Sequence, residues 1–370
     1  MRKTIHILFR SGRLLLFLAM LAGTTVHAQD LTDKRSVSKQ FQASRGTTLE
    51  ILNKYGKIQV VTWEKDEVAI DVDIILTESS SSRLKKLKDD IRIDFTGTQN
   101  YIIARTQIKS ESGRIASELK SVTHTIAGSN KHVEINYMVR IPEYLDVVVQ
   151  NKFGDIYMDD LHGQVDIDLS NGVLKTGQLE GNSNIQLSFA DGMIKALGSS
   201  NMKLSYADVT LGEAGQLDLE SKSSKLNADS VNVLKINSRR DKLQFQRVEY
   251  LFGNSNFTQV LISDFLRESD VYMKYGELTI EHVIPQFSKI YVESYYTDVT
   301  LLFDSRCMFA FDILYHEKAV LKLPAELTSS EESFDGKDHY RNRGTMGGEN
   351  PKGEVAIDAL QKCFINLSVK

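Results

Sequence analysis

From residue 150 onward one short pattern recurs, and it limits what the 370-residue chain can fold into more than any other feature. A small polar residue is followed by an aromatic, then a small residue, then alternating apolar positions. It reads Asn151-Lys152-Phe153-Gly154-Asp155-Ile156, then Ser205-Tyr206-Ala207-Asp208-Val209, Lys274-Tyr275-Gly276-Glu277-Leu278 and Tyr295-Tyr296-Thr297-Asp298-Val299. Degenerate copies include Ser170-Asn171-Gly172, Ser188-Phe189-Ala190 and stretches beginning at Ser221, Ser238 and Ser255. The small residue falls at 154, 172, 190, 207, 224, 241, 258, 276 and 297, in steps of 17 to 21 residues. A second register, through Gly192-Met193-Ile194, is open near residue 192. An earlier copy stands at Asn53-Lys54-Tyr55-Gly56-Lys57-Ile58.

Within each copy the period is two, as in Val165-Asp166-Ile167-Asp168-Leu169, so one face of the strand is apolar and the other polar. No single copy can bury its apolar face. Stacked copies can, each hydrogen-bonding to the next at about 4.8 Å. The expected fold is therefore all-β: a β-solenoid, or β-helix, with glycine supplying the turns between limbs. Nine such coils make a rod on the order of 40 Å long.

The rest of the chain divides around this array. Residues 29–150 read as an irregular β section and cap, with strands at 69–76, 101–108 and 132–141, one short helix within 79–90, and a polar loop at 110–130. Residues 151–325 hold the repeats. Residues 326–370 read as a long mobile loop, rich in charge and glycine over 329–353, followed by closing strands.

Residues 1–28 have the form of an export signal. Arg2, Lys3, Arg10 and Arg13 precede the apolar run 14–22, and Val26-His27-Ala28 places small residues for cleavage before Gln29. The apolar run is too short to span a bilayer. Thr24 stands where a lipoprotein signal needs cysteine, so no lipid anchor is expected. Removing this segment takes away four basic residues and no acidic one, moving the formal net charge from −4 to −8. The expected product is an exported periplasmic or surface protein with no transmembrane segment. Its charge gives no field favouring nucleic acid.

Two stretches add a family resemblance. Tyr137-Met138-Val139-Arg140-Ile141-Pro142, then Leu145-Asp146-Val147-Val148-Val149 and Phe153-Gly154-Asp155-Ile156, resemble the opening of the adhesin-type β-solenoid domains of secreted bacterial proteins. These families carry domain-of-unknown-function names, and the "GIN head" adhesin group is a relative. Ile51-Leu52-Asn53-Lys54-Tyr55-Gly56-Lys57-Ile58-Gln59-Val60 with Trp63 resembles their first strand pair, and the Ala28-Gln29 junction is similar to exported proteins of the Bacteroidetes. The resemblance covers most of residues 45–320. It implies an envelope location and an adhesive or scaffold role, and it brings no catalytic residue with it.

The chemistry-bearing residues fit that picture. There is no HExxH, GxSxG, P-loop or paired CxxC, so no enzyme class and no cofactor is indicated. Polysaccharide-cleaving enzymes also use β-helices, and an envelope-stress or signalling accessory is a further alternative. No acid–nucleophile pair stands out among the 49 carboxylates. Asp155, Asp159, Asp160, Asp166 and Asp168 could converge on calcium, but Asp166 and Asp168 alternate with apolar residues as a solvated strand face does. His162, His282 and His316 each sit near a turn without a second ligand at metal spacing.

Tyr55, Phe153, Phe189, Tyr206, Phe257, Tyr275 and Tyr296 recur at one place in the repeat. They read as a stacked ladder along an inner edge, the competing possibility being an exposed ladder that grips sugar rings. Lys222, Lys225, Arg239, Arg240 and Lys242 form the candidate binding site. Lys222 and Arg239, like Lys225 and Lys242, are one repeat apart. Stacked like charges cost energy unless an acid, such as Asp241, or an anionic partner offsets them. An acidic glycan or phosphate-bearing envelope polymer is the partner this suggests, with a protein partner also open. Cys307 and Cys363 share the parity of apolar neighbours, so both read as buried, with a disulfide between them possible in an oxidising compartment.

Overall fold

The computed structural model describes residues 30–109, 132–348 and 350–370. The export signal and the polar loop expected at 110–130 lie outside the described residues. The molecule is a β-solenoid of about nine turns with one short helix.

The N-terminal part contains β1 (Leu31–Gln42), β2 (Thr48–Leu52), β3 (Ile58–Thr62), β4 (Glu67–Glu78), α1 (Ser81–Asp90), β5 (Ile91–Gly97), β6 (Tyr101–Ile108) and β7 (His132–Ile141). Two of these strands already belong to the stack. β2 lies parallel to β8 (Asp146–Asn151) and β3 parallel to β9 (Ile156–Met158), with Leu49 beside Val147 and Ile58 beside Ile156. The chain between them builds a cap. β6 and β7 add parallel to β2 and β3, and β5, β4 and β1 then continue antiparallel. The outermost strand, β1, is largely polar and exposed, which blunts an edge that would otherwise template association. α1 leans Leu84 and Leu87 on the core, while the Ser80 hydroxyl meets Ser82 and gives the helix no side-chain cap.

The regular coils follow: β10 (Val165–Ser170), β11 (Val173–Ser188), β12 (Asp191–Ser205), β13 (Asp208–Lys222), β14 (Lys225–Arg239), β15 (Lys242–Asn256), β16 (Gln259–Val283) and β17 (Lys289–Phe303). Each long strand is the second limb of one coil and the first limb of the next. All pair in parallel, one repeat out of step, so equivalent residues form columns. One inner column runs Leu187, Leu204, Ser221, Ser238, Ser255, Met273, Ser294. Of the two registers open near residue 190, Ala190 takes the small-residue place. Gly192 stands instead beside Val209, in the adjoining apolar column.

The alternation seen in the sequence becomes burial: Val165, Ile167 and Leu169 point inward, Asp166 and Asp168 outward. One continuous core results, and each fully buried aliphatic side chain contributes about 1.5–3 kcal/mol. At the bend far from the aromatic corner the coils approach closely. A Cβ on Gly198 would lie 2.2 Å from the Glu180 carbonyl oxygen, so only glycine fits there.

The C-terminal part departs from the sequence expectation. Residues 329–353, read as a loop, contain a regular hairpin of β20 (Leu327–Phe334) and β21 (His339–Met346). β21 pairs antiparallel with β18 (Phe309–His316). The hairpin is nearly all polar and exposed on β20, so it lacks the apolar alternation that announces a strand. The closing strands β22 (Gly353–Ala359) and β23 (Phe364–Val369) insert between coils. β22 is parallel to β17 on one side and to β18 on the other, while β23 lies between β17 and β19 (Val320–Lys322). The last residues of the chain therefore form the second-to-last coil.

Candidate functional site

One corner of the solenoid is built the same way in eight successive coils, from Asn171 to Tyr296. Asn171, Phe189, Tyr206, Ser223, Arg240, Phe257, Tyr275 and Tyr296 all have φ between 52° and 61°. In these coils the positive φ belongs to the residue before the small one, whereas in the two earlier copies glycine itself takes it, at Gly56 and Gly154. For a non-glycine residue this left-handed conformation costs roughly 1–2 kcal/mol. It turns the corner residue's Cβ outward, and the following small residue fills the inside of the bend: Ala190, Ala207, Ser224, Asp241 and Thr258 are all buried.

That geometry overturns the expectation of an inner aromatic ladder from Phe189 onward, while Tyr55 and Phe153 do stack against the core. Tyr55 is 4% exposed, but Phe189 is 62%, Tyr206 51%, Phe257 51%, Tyr275 39% and Tyr296 41% exposed. The rings stack face to face along the rod. Phe189 and Tyr206 are 5.0 Å apart at 3°, Phe257 and Tyr275 4.8 Å at 10°, Tyr275 and Tyr296 5.2 Å at 4°. Stacking of this kind returns about 0.5–1.5 kcal/mol per pair, comparable to the backbone strain.

The ladder is interrupted for two coils, at Ser223 and Arg240, and the five basic residues gather at the interruption. Lys222 and Arg239 are neighbours on the limb entering the corner, Arg240 occupies the corner itself, and Lys225 and Lys242 are neighbours on the limb leaving it. All five are exposed. Lys225 lies 3.7 Å from Asp208. Among the described residues, Lys222, Arg239, Arg240 and Lys242 have no carboxylate within ion-pair distance.

The core beneath the interruption is also different. Where the coils of Phe189, Tyr206 and Tyr275 place Leu187, Leu204 and Met273, the coils of Ser223 and Arg240 place Ser221 and Ser238, and those of Phe257 and Tyr296 likewise carry Ser255 and Ser294. The buried Asp241 carboxylate accepts hydrogen bonds from Ser221 Oγ (2.7 Å), Ser238 Oγ (2.8 Å) and the backbone N–H groups of Ser224 (2.7 Å) and Arg239 (2.8 Å). It is therefore engaged inside the wall, and makes no ion pair with the cations outside. Ser223 and Arg240 fall one and two repeats after Tyr206, in the aromatic column of the sequence. The patch and the ladder thus share one corner of the solenoid, a link legible in the 17-residue spacing of Tyr206, Ser223 and Arg240.

The other candidates resolve as structure. Asp155 and Asp160 accept backbone N–H groups of Val173 and Gln178 from the next coil, Asp159 accepts that of Thr62, and Asp166 accepts Asn184 Nδ2. Among the described residues no group of three or more metal-binding side chains converges. His162 sits between Glu143 and Glu180 at 3.5 and 3.6 Å. His282 bridges Asp264 at 2.8 Å and Asp304 at 3.5 Å, and hydrogen bonds from Arg306 hold the Asp304 carboxyl well below the usual carboxylate range. Cys307 and Cys363 are buried and unbonded. Among the described residues no helix is long and apolar enough to cross a membrane.

No family model matches the sequence, and no curated protein matches it. Solved structures do resemble the fold. A "putative adhesin" from Bacteroides fragilis aligns at 10% identity over 72% of this chain and 97% of its own, with a TM-score of 0.32. A "putative lipid binding protein" from Parabacteroides distasonis aligns at 8% identity over 89% and 96%, with a TM-score of 0.29. A "putative cell adhesion protein" from Clostridium sporogenes aligns at 12% identity over 91% and 100%, with a TM-score of 0.20. Likeness at this level does not fix what the corner binds.

Proposed function

We propose that this chain is a non-enzymatic exported envelope protein of adhesin or scaffold type that binds an acidic polysaccharide at its aromatic and cationic corner. The observation that carries this reading is the exposure of aromatic rings at left-handed corners, broken by stacked cations that lack carboxylate partners. Asparagine or glycine would turn these corners with less strain. Aromatic residues there supply surface for a ligand that has apolar ring faces. Like charges one coil apart repel, and an anionic chain lying over Lys222, Arg239, Arg240 and Lys242 relieves that cost. A sugar polymer bearing carboxylates meets both requirements. The basic, apolar and small-residue pattern of residues 1–28 supports export.

Retention on immobilised polyuronate and on neutral dextran, across a salt series, tests the proposal. Polyuronate should retain the protein, dextran should not, and retention should fall with salt as screening grows. The triple variant Lys222→Ala/Arg239→Ala/Arg240→Ala should lose most of it. Equal retention on dextran, or none on either, overturns the reading. For location, protease shaving of intact cells after fractionation should find the protein in the envelope, and a cytoplasmic pool alone would defeat export.

A further inference from the structure

We infer that the rung at Ser223 is a slot for one ring of the ligand, a hexuronate residue stacked on Tyr206 with its carboxylate at Arg240. This rests on the acidic-glycan reading of the corner and adds to it where one sugar sits and how it is held.

The rings of the ladder are not a flat platform. They stack on each other at 4.8–5.2 Å and within 10° of parallel, so the faces between neighbours are already covered. Four faces remain. Two are at the ends, where Phe189 looks toward Asn171 and Tyr296 toward the C-terminal coil. The other two, on Tyr206 and Phe257, look into the interruption from opposite sides.

The interruption is two rungs deep. Arg240 occupies the rung next to Phe257, and Ser223 leaves the rung next to Tyr206 almost empty. The space from the Tyr206 ring to the Arg240 rung is about 10 Å, two coil spacings. One further ring fits there at the spacing the ladder already uses. Lys274 Nζ lies 5.8 Å from the Tyr275 centroid and 4.9 Å from that of Tyr295, but Phe257 and Tyr296 already cover both faces of Tyr275. Among the described residues no cation lies over Tyr206 or Phe257.

The walls define the ligand. A pyranose has a C–H face suited to the Tyr206 ring, and the exposed Arg240 guanidinium can take a carboxylate through two N–H donors. Lys222 flanks the Ser223 rung and Arg239 the Arg240 rung, and both favour the acid over a neutral sugar. A hexuronate combines the ring and the anion in one residue, and a chain of them can continue along the cations.

The slot can be closed without unfolding the wall. Phe189, Tyr206 and Phe257 already hold aromatic rings in this left-handed corner, so Ser223→Tyr continues a column the fold accepts. Binding of hexuronate oligomers, and of the same oligomers as methyl esters, is measured for each variant. Ser223→Tyr should melt at or above wild type and bind the free acid about tenfold more weakly. Ser223→Ala should bind as wild type. Tyr206→Ala removes a wall without filling the slot, and must also weaken binding. Arg240→Gln should erase the preference for acid over ester. Wild-type affinity in Ser223→Tyr overturns the slot. If Lys222→Ala/Arg239→Ala/Arg240→Ala then still abolishes binding, the acidic-glycan reading of the corner survives. If neither variant changes binding, both fall.

Discussion

Arg240 and Asp241 are consecutive in sequence and lie on opposite sides of the solenoid wall. Arg240, at φ 61°, exposes its guanidinium, while Asp241 is 3% exposed and its carboxylate accepts four hydrogen bonds. The left-handed corner makes this division, since the backbone reverses between the two side chains. All four donors to Asp241 are N–H or O–H groups, and two of them are backbone amides that no rotation can redirect.

Asp241→Asn tests that arrangement. The new amide keeps the size but presents N–H₂ where one oxygen accepted. Either Ser224 N–H or Arg239 N–H then faces a donor. Leaving such a buried group unmet costs about 1–3 kcal/mol. The urea midpoint should fall at an unchanged slope. An unchanged midpoint would mean that the carboxylate is not what holds the corner.

Tyr206→Asn separates the ligand surface from stability. Asn171 already occupies the same corner at φ 56°, so the substitution relieves strain. It also removes the 5.0 Å stack on Phe189, which contributes a similar amount. The denaturation midpoint should move little. Leu204→Ala, two residues earlier and fully inside, should cost about 2–5 kcal/mol. Retention on acidic polysaccharide should show the reverse order, lost in Tyr206→Asn and kept in whatever fraction of Leu204→Ala remains folded.

How much of this was legible in the sequence follows from what repeats. The coil register was, because the small residues at 172, 190, 207, 224, 241 and 258 recur every 17 or 18 residues while apolar and polar residues alternate between them, and burial follows directly. The direction of the aromatics was not. Alternation tells inward from outward only within a strand, and Tyr206 lies at a corner where φ changes sign. The small residue beside the ring marks the bend, and it is Ala207, not Tyr206, that turns in. The β20–β21 hairpin was invisible for a different reason: Ser329 to Phe334 is exposed, so backbone pairing rather than side-chain burial makes it a strand.

The cysteines should behave as two inert thiols. Cys307 Sγ donates to the Val283 carbonyl at one end of the last β17 limb, and Cys363 flanks Asp298 at the other. The limb between them, 298–303, is roughly 16 Å long at 3.3 Å per residue, too far for a disulfide. Burial pushes the Cys307 thiol up to about 12 and the Cys363 thiol up to about 11. At pH 8 the thiolate fraction is then about one in ten thousand for the first and one in a thousand for the second. A disulfide reagent should react slowly with the folded protein and titrate two thiols in denaturant. A non-reduced mass two hydrogens short of the reduced one would show a bridge and refute the separation.

The final prediction concerns the order in which the C-terminal coils assemble. β22 and β23 lie between β17 on one side and β18 and β19 on the other. Deleting residues 353–370 therefore does not trim an end. It removes a coil from inside the stack, takes out the buried Val355, Ile357, Ala359, Ile365 and Leu367, and exposes unpaired edges on both β17 and β18. Such edges are templates for association. The truncated chain should aggregate, and size-exclusion chromatography of the soluble fraction should show little or no monomer. Ile357→Lys should do the same more mildly, because it places one unpaired charge in the core while keeping the backbone ladder. A soluble, monomeric truncation with the wild-type melting temperature would require β17 and β18 to close on each other directly, and would contradict the inserted coil.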